Sequence, residues 1–290
     1  AMELVSYQFT FRNVDSKPVA VMPLGDIQWS GKKGDTVLRL LRERIAYGLK
    51  HNAYFLGMGD YIDFMSPSNR QRYRAAALYD SAEDVIDEKA RELVEELFHT
   101  ALKPTKGRWL GLLEGHHFTQ LKDATTTDQY LCQLLKAKFL GTSAYVRLQF
   151  KRAASNSRAV VNLWCHHGAG SGKAGAPITK LENLTPYWEA DVFLIGHMTK
   201  QAAAPINRIY PTYSKLGGTL VHRKIYLVGT GGFSRGYTAG RKDGQIPRGN
   251  YVEQGMMNPT ALGCPLLKVK PVRLQTDERD RFEVEITVEL

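Results

Sequence analysis

Aspartate and histidine residues recur directly after short apolar segments of this chain. Carboxylates and imidazoles are common ligands of divalent metals, so a cluster of them could hold one or more ions. One such segment alone predicts only a turn, because Asp and Gly both favour turns. Five in one chain favour a metal site. The five segments are Gly25-Asp26, Gly59-Asp60, Gly115-His116-His117, His166-His167-Gly168 and Gly196-His197.

Short apolar strands and amphipathic helices alternate through the first two thirds of the chain and would position these residues. Strands are predicted over residues 18–24, 53–58, 109–113, 144–150, 159–164, 191–195, 224–228, 266–272 and 282–288. Helices are predicted over residues 35–50, 81–102, 127–139 and 177–184, with N-caps at Ser81 and at Thr126 or Thr127. The alternation predicts an α/β fold, in which ligand sites lie at the carboxyl ends of the strands.

Neither a repeat nor a linker divides the sequence, so we expect a single domain over residues 1–290. The predicted strands at 144–150 and 159–164 should form a hairpin around a polar loop at 153–157. Residues 229–258 are rich in Gly and Arg and lack periodicity, which predicts a long surface loop beside the site.

The formal net charge of the chain is +10, which favours phosphate-bearing partners, including nucleic acid. Scattered, solvated basic side chains explain the same charge equally well. The basic residues that do cluster are Arg70, Arg72 and Arg74, then Lys151 and Arg152, and then Arg235, Arg241, Lys242 and Arg248.

Cysteine usage and the lack of targeting signals predict a cytoplasmic protein. Cys132, Cys165 and Cys264 share no short spacing, which argues against a disulfide framework or a zinc knuckle. The first residues lack the apolar core and cleavage site of a signal peptide. No stretch is long and apolar enough to span a bilayer, so we expect no membrane partner.

The order and residue pattern of the five segments resemble the conserved motifs of the calcineurin-like metallophosphoesterases over about residues 18–200. The family blocks run Asp-x-His, Gly-Asp-x-x-Asp, Gly-Asn-His, a lone His, and Gly-His-x-His. Gly59, Asp60 and Asp63 match the second block in full. The resemblance implies an α/β fold in which two mixed β-sheets pack as a sandwich flanked by helices.

The resemblance also implies a role for each site residue. Two divalent ions would be bridged by Asp60, with Mn²⁺ the first expectation and Mg²⁺, Fe²⁺ or Zn²⁺ the alternatives. Asp63 would orient the general acid, His117. Asp26 would bind the first ion, whereas the second would be bound by His116, His166 and His197.

Three positions depart from the family pattern. Gln28 stands where most members of the family have His. The similar ADP-ribose and CDP-alcohol diphosphatases also have Gln at this position, and the amide oxygen of Gln can bind Mn²⁺ or Mg²⁺. His116 stands where Asn is usual. Thr199 stands where the last His belongs, and its hydroxyl is a poor ligand, so the first site is expected to be weak.

Two adjacent histidines compete for one position in the pattern. Either His166 or His167 could be the ligand that the family provides as a lone His. We favour His166 because it comes first after the predicted strand.

The resemblance implies a metal-dependent phosphoesterase, most simply a phosphodiesterase or nuclease that acts on nucleic acid or nucleotides by attack of a metal-bridging hydroxide. Arg235, in a Gly-rich segment, is predicted to bind substrate phosphate, or else is an exposed loop charge. Hydrolysis of a small nucleotide diphosphate is the alternative that Gln28 favours. A non-catalytic binding protein is a third reading, which Thr199 favours and which the intact Asp60, Asp63 and His117 disfavour.

Overall fold

Two mixed β-sheets and six helices form the computed structural model, which describes residues 2–11, 18–32, 34, 36–76, 79–153, 158–214, 217–275 and 280–290. The strands are β1 (Glu3–Phe11), β2 (Val19–Leu24), β3 (Tyr54–Gly57), β4 (Trp109–Leu112), β5 (Ser143–Arg152), β6 (Arg158–His166), β7 (Val192–Ile195), β8 (Gln201–Ser214), β9 (Gly217–Thr230), β10 (Lys242–Asp243), β11 (Ile246–Pro247), β12 (Leu266–Gln275) and β13 (Asp280–Glu289). The helices are α1 (Leu38–Lys50), α2 (Pro67–Ala75), α3 (Asp80–Leu97), α4 (Thr127–Leu135), α5 (Ala176–Glu182) and α6 (Tyr251–Gln254).

Each large sheet contains a block of parallel strands. The five-stranded sheet has the order β13-β12-β2-β3-β4, in which β2, β3 and β4 are parallel. The six-stranded sheet has the order β1-β5-β6-β7-β9-β8, in which β6, β7 and β9 are parallel. Because parallel strands end at the same edge of a sheet, each block gathers the residues that follow its strands.

The two sheets pack face to face through a shared apolar core. Val21 and Leu56 of the five-stranded sheet and Val146 and Leu163 of the six-stranded sheet are fully buried in it. A second cluster packs α1, α3 and α4 on the outer face of the five-stranded sheet, and a third packs α5 on the six-stranded sheet. The predicted α/β class with two mixed sheets is therefore confirmed.

Most predicted elements are present, but their ends differ. Helix α3 has Tyr79 as its N-cap and receives no side-chain cap, so the predicted cap at Ser81 is wrong. Helix α4 is capped by Thr126 and ends early, because Lys136 adopts a left-handed backbone with φ 55°. Residue 35, residues 154–157 and the side chain of Arg74 lie outside the described residues.

Four regions differ from the elements that the sequence pattern predicts. Strand β8 contains Pro205 and Pro211, which cannot donate to a strand ladder, and it lies at a sheet edge where proline is tolerated. Strand β1 and helix α2 were also missed. The predicted structureless segment 229–258 holds the short β10–β11 pair and α6. No helix of the described residues is both long and apolar enough to cross a membrane.

The N-cap of α4 gives a direct test of the fold. The Thr126 hydroxyl accepts the backbone N–H of Gln129, whose side chain in turn accepts the N–H of Thr126. We expect Thr126→Ala to lower the free energy of unfolding by about 1 kcal/mol. Ser81→Ala is the matched control and should change it by less than about 0.5 kcal/mol. Chemical denaturation measures both, and equal losses would contradict the observed caps.

Candidate active site

The carboxylate of Asp60, just after β3, lies at the centre of the candidate site. Its Oδ1 accepts the backbone N–H groups of His116 at 2.5 Å and His117 at 3.0 Å. Its Oδ2 lies 3.3 Å from Nε2 of His167. Burial opposes ionisation, but the contact with His167 and the charge of that ring outweigh it, and the pKa of Asp60 lies well below its usual range.

Asp26, just after β2, places a second buried carboxylate beside the first. Its backbone N–H donates to Gly59 O at 2.9 Å, and its Oδ2 accepts the backbone N–H of His197 at 2.9 Å. Burial, opposed by the nearby charge of His167, raises the pKa of Asp26 to about 7. Two carboxyl groups are thus buried close together, an arrangement that a cation would stabilise.

Three imidazoles complete the cluster. The Nδ1 atoms of His116 and His197 lie 3.1 Å apart, and the His167 ring stands nearly perpendicular to both. Burial and then the charge of His167 lower the pKa of His116 and bring the pKa of His197 to about 4, so both rings are neutral and can act as ligands. The Nδ1–H of His167 donates to Met58 O, which turns its Nε2 toward Asp60.

The donor atoms of this cluster fit a metal ion. The candidate ligand atoms of His116, His167 and His197 lie within 4.8 Å of one another, and so do those of Asp26, Asp60 and His167. Asp26 Oδ1 is buried without a hydrogen-bond partner in the described part of the chain, and the buried Asp60 Oδ2 and His167 Nε2 face each other at 3.3 Å without a well-aligned hydrogen bond. Such atoms are costly unless something pairs with them, and carboxylate and imidazole donors suit Mn²⁺, Fe²⁺ or Zn²⁺.

His167, and not His166, belongs to both groups of candidate metal ligands, so the position of the rings favours His167 over the predicted His166. His166 is the last residue of β6, and its Nδ1 accepts the backbone N–H of Gly168. Its ring stacks on Trp164, with centroids 5.8 Å apart. Because successive side chains of a strand point to opposite faces, only one of the two adjacent histidines can reach the site.

His117 and Asp63 form a hydrogen-bonded pair at the rim. Nδ1 of His117 lies 2.9 Å from Oδ1 of Asp63, and its Nε2 lies 3.9 Å from Oδ2 of Asp60. Burial alone would lower the pKa of His117, but the hydrogen bond to Asp63 and the charge of Asp60 raise it above its ordinary value. An oriented, readily protonated imidazole next to a possible metal site can act as a general acid.

The backbone around the site is tightly packed and locally strained. A Cβ atom on Gly115 would lie 2.1 Å from Oδ1 of Asp60, so no side chain fits where that turn crosses the carboxylate. A left-handed backbone is found at five predicted site residues, with φ between 48° and 63°. Such residues cost about 1–3 kcal/mol each and cluster at functional sites. The five are Asp26, Gln28, Asp60, His197 and Thr199.

Two residues that the sequence analysis did not assign to the site hold the turn that carries His116 and His117. Nη1 of Arg70, in α2, donates to His116 O at 2.6 Å and to Phe118 O at 2.7 Å, and the guanidinium covers the Phe118 ring. The buried Asp128, in α4, accepts the Gly115 N–H at 3.0 Å. In the sequence, Arg70 is distinguished only by its place in a basic cluster with Arg72 and Arg74, which does not predict this contact.

Two cavities open on the centre. One, of about 600 Å³, includes Asp60, His117, His197 and Thr199 in its lining. The other, of about 560 Å³, lies beside Gln28 and Asp63. Gln28 lines both cavities, and its role as a ligand, like that of Thr199, stays a prediction.

Arg235 is exposed and lines neither cavity. Its predicted contact with substrate phosphate therefore has no support in the position of its side chain. Lys200 lines the cavity that contains Asp60, and the cavity beside Gln28 and Asp63 is lined by Lys32, Arg241, Lys242 and Arg248.

Comparison with known proteins adds no assignment. No protein-family model matches this chain, and no curated protein matches it. The resemblance to the calcineurin-like metallophosphoesterases therefore stays a prediction from the sequence motifs.

The two adjacent histidines allow a sharp test of the cluster. We expect His167→Ala to weaken binding of Mn²⁺ by about 100-fold or more, since loss of a partner that only supports a ligand already costs about 10- to 100-fold. His166→Ala is the matched control and should bind Mn²⁺ like the unaltered protein. Calorimetric titration of metal-free protein measures both affinities. A loss confined to His166→Ala would show that the assignment of the two rings is reversed.

Proposed function

We propose that this chain is a metal-dependent phosphoesterase of the calcineurin-like type, and that it hydrolyses phosphodiesters of nucleic acid or nucleotides. The observation that carries the proposal is a convergence of buried atoms. Oδ1 of Asp26 is buried without a hydrogen-bond partner in the described part of the chain, Asp60 and His167 offer ligand atoms within 4.8 Å of a carboxylate oxygen of Asp26, and the His117–Asp63 pair lies beside them. A structural core has no use for that combination.

Two divalent ions are proposed to bind here, with Mn²⁺ the first candidate. Asp26, Gln28 and Asp60 would hold one ion, and Asp60 with the three clustered histidines would hold the other. When bound, the ions would supply neutralisation of phosphate charge and an acidified water molecule. The three clustered histidines are His116, His167 and His197.

The chain itself supplies an oriented proton donor. Asp63 accepts the Nδ1–H of His117, which leaves Nε2 of the ring to deliver a proton on the cluster side. In the proposed reaction, Nε2 gives its proton to the leaving oxygen as the P–O bond breaks. Asp63 acts by fixing the tautomer and the ring orientation. A binding protein without catalysis would not need this pair.

The proposed substrate class follows from charge. The net charge of +10 and the cationic lining of one cavity favour a polyanionic ligand. A small-nucleotide diphosphatase is the second candidate, because both cavities have the volume of small-ligand pockets.

Hydrolysis of bis-p-nitrophenyl phosphate tests the proposed activity. Purified protein supplied with Mn²⁺ should release p-nitrophenol, and EDTA should abolish the release, because Asp26 and Asp60 would then lack their counter-ions. Absorbance of p-nitrophenolate measures the rate. Turnover that persists after exhaustive chelation would rule out the metal mechanism.

The leaving group tests the role of His117. We expect His117→Ala to lower kcat by about 100-fold or more for thymidine 5′-phenyl phosphate, whose leaving oxygen needs a proton. The loss should be much smaller for the p-nitrophenyl ester, which leaves readily as an anion. His166→Ala serves as the control and should lower neither rate. An equal loss for both esters would show that His117 does not protonate the leaving group.

A further inference from the structure

A basic cavity lies beside the candidate active site, with a volume of about 560 Å³. We use this name for the cavity between Gln28 and the β10–β11 segment. Of its lining residues that the structure describes, four carry positive charge and one carries negative charge. The positive residues are Lys32, Arg241, Lys242 and Arg248, and the negative residue is Asp63.

Backbone hydrogen bonds hold the cationic segment in place. The N–H of Arg248 donates to the carbonyl of Arg241, and Lys242 pairs with Pro247 in the β10–β11 ladder. The start of the same segment is tied to the active site, since Phe233 N–H donates to Asp26 O at 2.9 Å. Three of the four cations, Arg241, Lys242 and Arg248, therefore lie on a segment whose first residues are hydrogen-bonded to a candidate metal ligand, whereas Lys32 lies between β2 and α1.

The basic cavity adjoins the reacting centre. Gln28 lines both the basic cavity and the cavity that contains Asp60 and His117. Asp63, the acidic member of the lining, has its Oδ1 engaged by His117. The proposed general acid, His117, therefore contacts a residue of the basic cavity. A cavity whose lining has a net positive charge concentrates anionic ligands.

We propose that the basic cavity binds a second phosphate group of the substrate, next to the phosphate that is hydrolysed. This inference rests on the proposed function, because it takes the metal cluster as the place of the scissile phosphate. Arg241 and Arg248 are both in the lining, and the planar guanidinium group of arginine matches phosphate oxygens in pairs. The preferred substrate class is then a phosphodiester with a neighbouring phosphate, such as a terminally phosphorylated oligonucleotide, over an isolated diester.

The lining of the other cavity agrees with this placement of the second phosphate. Met198, Met256 and Met257 contribute to its lining, together with Val252. Thioether and aliphatic groups pack well against the flat faces of aromatic rings. A nucleobase would therefore lie on that side, and the additional phosphate on the cationic side.

Binding without metal tests the basic cavity independently of catalysis. Inorganic pyrophosphate is titrated calorimetrically into protein in EDTA, at low ionic strength. Arg241→Gln/Arg248→Gln should bind it about tenfold more weakly or worse, since a single charge-assisted hydrogen bond is worth that much. The control is Arg39→Gln/Lys50→Gln, which removes the same charge from exposed positions of α1 and should bind normally. Equal affinity in both double variants would overturn the proposal.

Turnover then tests the substrate class. The ratio of kcat/KM for a phosphorylated thymidine dinucleotide to that for the unphosphorylated one should be about tenfold or more in the unaltered protein. It should fall toward one in Arg241→Gln/Arg248→Gln and stay high in the control. Separate 5′- and 3′-phosphorylated dinucleotides show which side of the scissile bond faces the cavity. A ratio near one in the unaltered protein for both would overturn the inference.

The two tests separate the inference from the proposed function. If no diester is hydrolysed but the pyrophosphate difference between the double variants persists, the proposed activity fails while the anion site stands. If diesters are hydrolysed and that difference is missing, the activity stands and the anion site fails. Thermal unfolding of both double variants should match the unaltered protein, which excludes misfolding as the cause of a loss.

Discussion

The buried carboxylate of Asp60 accepts two hydrogen bonds, from the backbone N–H groups of His116 and His117. The candidate site is organised around these two hydrogen bonds. They fix the turn after β4 onto the turn after β3, so that one imidazole faces the cluster and its neighbour lies at the rim. They also satisfy one oxygen of Asp60 and leave the other directed at His167. Arg70 and Asp128 bind the backbone of the same turn, so side chains from α2 and α4 also fix its position.

The site also joins the two sheets. The backbone N–H of His197, after β7, donates to Asp26, after β2. In the opposite direction, His167, after β6, donates to Met58 O, after β3. These contacts connect the carboxyl ends of both parallel blocks, so the packing of the shared core determines the spacing of the proposed ligands. Small shifts between the sheets would change the spacing of the candidate ligand atoms before they changed the fold.

Much of the site could be predicted, because a polar residue after an apolar strand is a local signal. That signal found Asp26 and Asp60, and it placed His117 beside His116. That signal could not distinguish His166 from His167. The distinction depends on the pleat of β6, because adjacent residues of a strand direct their side chains to opposite faces of the sheet. Arg70 binds backbone carbonyls that are distant in sequence, so no local sequence pattern predicts its role. The same holds for β8, which is stabilised by its long pairing with β9.

The left-handed backbone at Thr199 has a consequence for how this site can change. A β-branched residue is unfavourable there, and yet φ is 51°, close to the values of Asp60 and Gln28. The turn therefore takes its shape from the surrounding fold, whatever side chain it carries. A metal-binding side chain substituted for Thr199 would find its backbone conformation already in place, so one substitution would add a candidate ligand without rearrangement of the chain.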